Sequence, residues 1–261
     1  MFPIRLHFLG TGTSTGVPQI GCHCAVCTSS DPRDSRLRTS ALVETPEGSV
    51  LLDCGPDFRW QMLSLLRSHP QVPAVRAVLL TPEHYDHVGG LDDLRPYSSE
   101  QAVRVYADEL CARHQRERMP YCFVEKKYPG VPNLSLHAVR PGQCIEACGM
   151  ELTPFQVIPG RLPILAWRNR SRWAYITDLS HMPPEALPQL RGVNTLIINA
   201  LRHEPHGSHQ SLPEALQLIS EIQPHRAYLI HASHQIGLHA DLSAKLPPHV
   251  MMAYDGLTIE L

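Results

Sequence analysis

The chain has 261 residues, of which 43% are hydrophobic and 18% charged, with 23 Lys plus Arg against 25 Asp plus Glu. The net charge of −2 argues against a surface that holds nucleic acid by bulk positive charge. No uncharged apolar run reaches the roughly 18 residues of a transmembrane helix, and the composition excludes collagen, coiled coil and wholesale disorder.

Residues 4–9 alternate apolar and polar and predict a half-buried strand that stops at Gly10. Residues 11–35 are rich in Gly, Thr, Ser, Pro and Cys and read as a long ordered loop that something must pin. Residues 39–45 and 49–53 predict a hairpin around Pro46-Glu47-Gly48. Phe58, Met62, Leu65 and Leu66 have helical spacing over 57–67, and 77–80 is a buried strand ending at Thr81. A helical pattern covers 100–118 and another 211–223, the second opening on Ser211-Leu-Pro-Glu, a helix N-terminal signature. Residues 195–199 and 226–230 are further buried strands, and 251–260 reads as a last strand pair around Asp255-Gly256. No repeat or linker divides the chain, so 1–261 is read as a single domain with two sheets covered by helices. The start lacks a cationic segment, apolar run and cleavage site, so a cytoplasmic protein is expected.

The chain carries 16 His and 8 Cys. Cys22, Cys24 and Cys27 lie within six residues of a polar loop. Three thiolates so spaced reach one tetrahedral zinc, and a fourth ligand must come from elsewhere. Reduced, metal-free thiols are the bland alternative, but such a loop is a poor core. Cys54, Cys111, Cys122, Cys144 and Cys148 are most simply buried thiols. Glu83-His84-Tyr85-Asp86-His87 follows the strand 77–80 and collects metal-ligand types on one turn, with Tyr85 read as packing. A capped helix start is the alternative there. Asp178, His231 and His234 also follow apolar strands, and His203, His206 and His209 line a turn before the helix at 211. Surface histidines would not collect at strand ends.

This ordered set resembles the metallo-β-lactamase superfamily, in particular the PhnP-type phosphodiesterases and their relatives near tRNA 3′-processing endonucleases. The matching pieces are Leu9-Gly-Thr-Gly-Thr-Ser-Thr-Gly-Val-Pro, the Cys22-x-Cys-x-x-Cys loop, Leu52-Asp-Cys-Gly-Pro-Asp, His84-x-Asp-His, Thr177-Asp178, Asn199-Ala-Leu-Arg, Ser208-His209, His231-Ala-Ser-His234 and Ala253-Tyr-Asp-Gly. The resemblance implies an α+β fold, a four-layer αββα sandwich with a metal centre along one edge. It makes His84, Asp86, His87, Asp178 and His231 active-site metal ligands. It makes Cys22, Cys24, Cys27 and His234 a structural zinc site, and His209 a group that protonates the leaving group.

Two expected ligands are replaced by proline, at Pro82 and Pro159, which has no donor atom to offer. In the family both serve the same ion, so this first site keeps only His84 and the shared Asp178. The second site keeps Asp86, His87, Asp178 and His231. One ion, Zn²⁺ or Mn²⁺, is therefore expected there. Repair of the first site by Glu83 or His181 ranks below that, and a retired enzyme that binds a ligand or partner is the alternative. The expected activity is metal-dependent hydrolysis of a small cyclic or nucleotide-like phosphodiester, with Asp86 and His209 catalytic and Arg161 and Arg202 clamping phosphate. A lactone or thioester substrate rests on superfamily breadth alone. No membrane partner is expected, nucleic acid is disfavoured, and the resemblance leaves room for a homodimer.

Overall fold

The computed structural model describes residues 3–124, 129–158, 163–170 and 172–261. The first half runs β1 (Arg5–Gly10), β2 (Ser40–Thr45), β3 (Gly48–Leu52), α1 (Phe58–Ser68), β4 (Val75–Leu79), α2 (Tyr85–Val88), β5 (Val103–Ala107), α3 (Glu109–Arg118), α4 (Pro120–Phe123) and β6 (Leu134–Ala138). The second runs β7 (Ile145–Ala147), β8 (Met150–Val157), β9 (Ile164–Asn169), β10 (Trp173–Ile176), β11 (Thr195–Asn199), α5 (Leu212–Ile222), β12 (Arg226–Ile230), α6 (His239–Ser243), β13 (Val250–Met252) and β14 (Thr258–Glu260).

The strands form two seven-stranded sheets, in the orders β14-β1-β2-β3-β4-β5-β6 and β13-β12-β11-β10-β9-β8-β7. Strand periodicity explains the layering. In β3, Val50 and Leu52 face the core between the sheets, while Leu51 faces outward with Phe58, Met62 and Leu65 of α1. In β11, Ile197 joins the inter-sheet core, and Leu196 and Ile198 pack with Leu218, Ile219 and Ile222 of α5. Helix, sheet, sheet and helix thus stack as the expected αββα sandwich. Trp167 ties the sheets together by donating from Nε1 to the Leu80 carbonyl at 3.0 Å.

Two expectations are corrected. Residues 100–118 are not one helix, because Val103-Arg-Val-Tyr-Ala pairs between β4 and β6 as a strand. The helix begins only after Asp108, whose side chain caps it by accepting from the Cys111 N–H. Residues 251–260 are not a strand pair. β13 joins the second sheet and β14 the first, and the Asp255-Gly256 corner, with Gly256 at φ 90°, carries the chain across. No helix among the described residues is long and apolar enough to cross a membrane.

Candidate metal centre

Parallel pairing sets the C-terminal ends of β3 and β4, and of β10, β11 and β12, along one edge of the sandwich. Each apolar strand there hands over to polar residues, as its sequence indicates. Asp53 leaves β3, the 81–87 segment follows β4, Asp178 follows β10, and His231 leaves β12. Asp53, Asp178 and His231 all adopt positive φ, at 60°, 55° and 56°. Gly55 allows α2 to press against the β3 exit, since any Cβ there would collide with the Asp86 carbonyl.

Four side-chain atoms converge. His87 Nε2 lies 3.1 Å from Asp86 Oδ2 and 3.3 Å from Asp178 Oδ1. His231 Nε2 lies 2.9 Å from Asp178 Oδ1 and 3.6 Å from Asp86 Oδ2. The His87 and His231 rings stack at 5.5 Å. His87 Nδ1 is 2.9 Å from Asp53 Oδ2, which makes it the donor and leaves Nε2, facing carboxylate oxygens, to bind either a proton or an ion. Nε2 of both histidines is buried without a hydrogen-bond partner among the described residues. Ligand bonds of about 2.1 Å in a tetrahedron require donor separations near 3.4 Å, so this set fits one divalent ion.

The electrostatics agree. Burial opposes every charge here, but Asp178, Asp53 and Asp86 overcome it for His87, whose pKa lies well above the usual imidazole value. Asp178 and Asp86 likewise carry His231 up to about 9 against burial. Asp178 and Asp86, also against burial, are held well below the usual carboxylate range by these imidazoles. Without an ion, protons neutralise the acidic cluster, and a divalent cation replaces them.

Asp53 is the residue that sequence reasoning missed. Fully buried, it accepts from the Thr81 N–H at 2.8 Å, from Thr81 Oγ1 at 2.7 Å and from His87. Its only signal was its place at the end of a strand in the Leu52-Asp-Cys-Gly run. Asn199 was also missed. It clamps the residue after Asp178, accepting from the Leu179 N–H and donating to the Leu179 carbonyl, both at 3.0 Å.

His209 stands beside the four, its ring 5.0 Å from that of His231 and stacked on His206 at 5.4 Å. Gln210 fixes it by donating to the Leu179 and Asn199 carbonyls. Burial, with the His231 charge, pushes His209 down to about 4, so the ring is neutral at pH 7 in the free protein. His84 Nδ1 lies 3.1 Å from Asp178 Oδ2. Glu83 pairs with His114 of α3, and His181 Nδ1 meets the Ser180 carbonyl at 2.6 Å. Pro159 and Arg161 lie outside the described residues.

Arg202 does not point into the site as a free clamp. Its guanidinium braces the following loop by donating to the Glu204 and Pro205 carbonyls and to Gln235 Oε1. His203 and His206 are exposed, as rim residues are. Cys144 is exposed rather than buried, and Tyr85 packs its ring over Gly89 as expected while remaining 66% exposed.

The second cluster also assembles. The sulfurs of Cys22, Cys24 and Cys27 and one nitrogen of His234 all lie within 4.8 Å of one another. His234 Nδ1 is 3.2 Å from Cys24 Sγ and 3.4 Å from Cys22 Sγ. Backbone N–H groups of Gln19 and Cys27 point at the sulfurs of Cys27 and Cys24, as they do toward thiolates. Three sulfurs and one imidazole match the closed donor set that structural zinc sites use.

The beta-lactamase superfamily domain profile matches residues 49–232, and the chain belongs to that superfamily. The chain is 36% identical to a structurally characterised new diphosphatase from the PhnP family, with a TM-score of 0.90 and coverage of 100% of this chain and 98% of that one. Zinc-bound PqqB from Methylobacterium extorquens superimposes with a TM-score of 0.80 at 21% identity, over 98% of this chain and 100% of that one, and shares the fold. An octanoyltransferase from Porphyromonas gingivalis is 41% identical over 256 residues, covering 97% of this chain and 51% of that protein. The chain thus spans about half the length of the first curated relatives it matches.

Proposed function

We propose that this protein is a metal-dependent hydrolase of small phosphodiesters or diphosphate esters, working with one ion on Asp86, His87, Asp178 and His231. The observation that carries this reading is the pair of buried, unpartnered imidazole nitrogens facing two carboxylates at 2.9–3.6 Å. The likeness to a PhnP-family diphosphatase over nearly all of both chains supports the phosphate substrate. A divalent ion held there, Zn²⁺ or Mn²⁺, supplies Lewis acidity toward a phosphoryl oxygen and lowers the pKa of water.

The protein's own groups do the rest. Asp53 holds the His87 ring in one tautomer. Water adds to phosphorus and passes a proton to a phosphoryl oxygen, the P–O bond to the leaving group breaks, and the departing oxygen, of an alcohol or a phosphate, takes a proton from His209. That ring gains its proton once an anionic phosphate lies beside it, because a neighbouring negative charge raises an imidazole pKa. Cys22, Cys24, Cys27 and His234 hold a structural zinc away from the chemistry.

Turnover of bis(p-nitrophenyl) phosphate with added Mn²⁺ or Zn²⁺ tests the reading, and background rates with both ions would sink it. A second reading, acyl ester or thioester hydrolysis, draws on the name of the octanoyltransferase relative. An acyl thioester in the same assay separates the two.

A further inference from the structure

The metal donors leave unexplained the cleft that opens beside Asp86. It measures about 510 Å³ and is lined by Ile20, Arg38, Pro56 and Tyr85 as well as Asp86. That volume falls in the range of roughly 300–1,000 Å³ that small-molecule sites occupy. Two large apolar side chains stand in water on its walls, Ile20 at 98% exposure and Tyr85 at 66%.

Neither is a loose end. Ile20 lies in the cysteine loop, where the Gln19 N–H donates to Cys27 Sγ at 3.4 Å and the Cys22 N–H to the Gln19 carbonyl at 3.0 Å. Tyr85 opens α2 between His84 and Asp86, and its ring packs over Gly89, where a Cβ would collide with it. The two are therefore held out by built structure, with a face of each open to the cleft. Arg38 adds charge. Its backbone N–H and its Nε lie 2.8 and 3.0 Å from Asp57 Oδ2, while no side-chain hydrogen bond engages its two terminal nitrogens among the described residues.

We propose that this cleft is a subsite for a nucleoside diphosphate group. The flat base lies between Ile20 and Tyr85, one phosphoryl group sits on the Arg38 fork, and the scissile phosphoryl lies at the Asp86 end. An aromatic ring receives any base because every base has a π-face. A guanidinium with both terminal nitrogens free takes phosphate through paired hydrogen bonds. A purely apolar occupant would offer nothing to the two terminal nitrogens that Asp57 does not hydrogen-bond. The inference rests on the hydrolase reading and names its substrate class.

Titration calorimetry of the metal-loaded protein with ADP and with inorganic pyrophosphate tests it. Ile20→Ser and Tyr85→Ser alter exposed side chains and are expected to fold. Each weakens ADP at least tenfold and leaves pyrophosphate within twofold. Arg38→Gln, checked for folding by thermal melt, weakens both. ADP affinity unchanged in the two surface variants overturns the proposal, as does ADP binding no tighter than pyrophosphate. A dimer that Ile20→Ser dissociates without changing ADP affinity assigns the face to a second copy and also overturns it. The same preparations are assayed with bis(p-nitrophenyl) phosphate. No turnover with variant-sensitive ADP binding sinks the hydrolase reading and keeps the subsite, whereas turnover with variant-insensitive ADP binding does the reverse.

Discussion

Asp178 and His231 leave the two strands that flank β11 in the same left-handed backbone conformation, and meet with Oδ1 2.9 Å from Nε2. Such non-glycine residues carry strain of about 1–3 kcal/mol each and persist only where the surroundings impose them. Here the imposed turns bring both side chains to the same point at the sheet edge. Asp53 does the same at the end of β3. The candidate metal centre is therefore a property of three strand ends and of the short segment around α2.

Replacing His231 by Ala removes one of the four converging donors. The variant is expected to hold one ion fewer per chain by elemental analysis and to lose at least about a hundredfold in turnover. Zinc on the cysteine cluster should remain. Equal metal content in both proteins would count against the assigned ligand set.

Asp53→Asn keeps an acceptor for the Thr81 N–H and loses the charge that fixes His87. Partners of this kind are worth about 10–100-fold in metal affinity. Competition against a chromogenic chelator should show that loss, with little change in circular dichroism.

Cys24→Ser should remove one zinc and lower the melting temperature by roughly 5–10 °C, because an ion that binds only the folded chain stabilises it. Strong chelation of the wild-type protein should act in the same direction. An unchanged melt after verified zinc removal would refute a structural role.

His209→Ala should matter only where the leaving group needs a proton. Loss of a general acid costs about 10²–10⁴-fold. That loss is expected for an alkyl phosphodiester and should be small for a p-nitrophenyl ester, whose leaving group is already a weak base. Equal losses on both would assign the ring to positioning instead.

Asp255 predicts a pH dependence of stability. Burial raises its pKa to about 7, against donors from Leu37 and Thr11 and the charge of Arg36. The folded state thus binds this proton more tightly than the unfolded chain. The resulting stability is full below about pH 4 and is lost as pH rises through about 7. Relative to Asp255→Asn, the wild type should lose about 2–4 kcal/mol across that range in urea unfolding. Parallel curves for the two proteins would refute it.

Much of this was legible in the sequence because apolar strands ending in Asp or His announce both the sheet and its working edge. Asp86 and His87, Asp178, and His231 converge from three such exits, and Cys22, Cys24, Cys27 and His234 do so from two. The rest depended on spatial pairing. Val103–Ala107 became a strand only because β4 and β6 flank it. Asp53 and Asn199 act by touching other residues, which spacing does not reveal. Arg202 is consumed by its own loop. Tyr85 reads as packing and no pattern singles out Ile20, and only their exposure sets them on the walls of a cleft.

His231 and His234 are three residues apart, and Ala232 between them accepts from the Thr13 N–H and donates to the Thr11 carbonyl. The thiolate cluster, the loop that displays Ile20 and the catalytic edge therefore hang on one short lever. Coupling between sites is reciprocal for binding free energies. An occupant of the cleft should slow zinc exchange at the cysteines, and stripping that zinc should register first as a raised KM, before any fall in kcat.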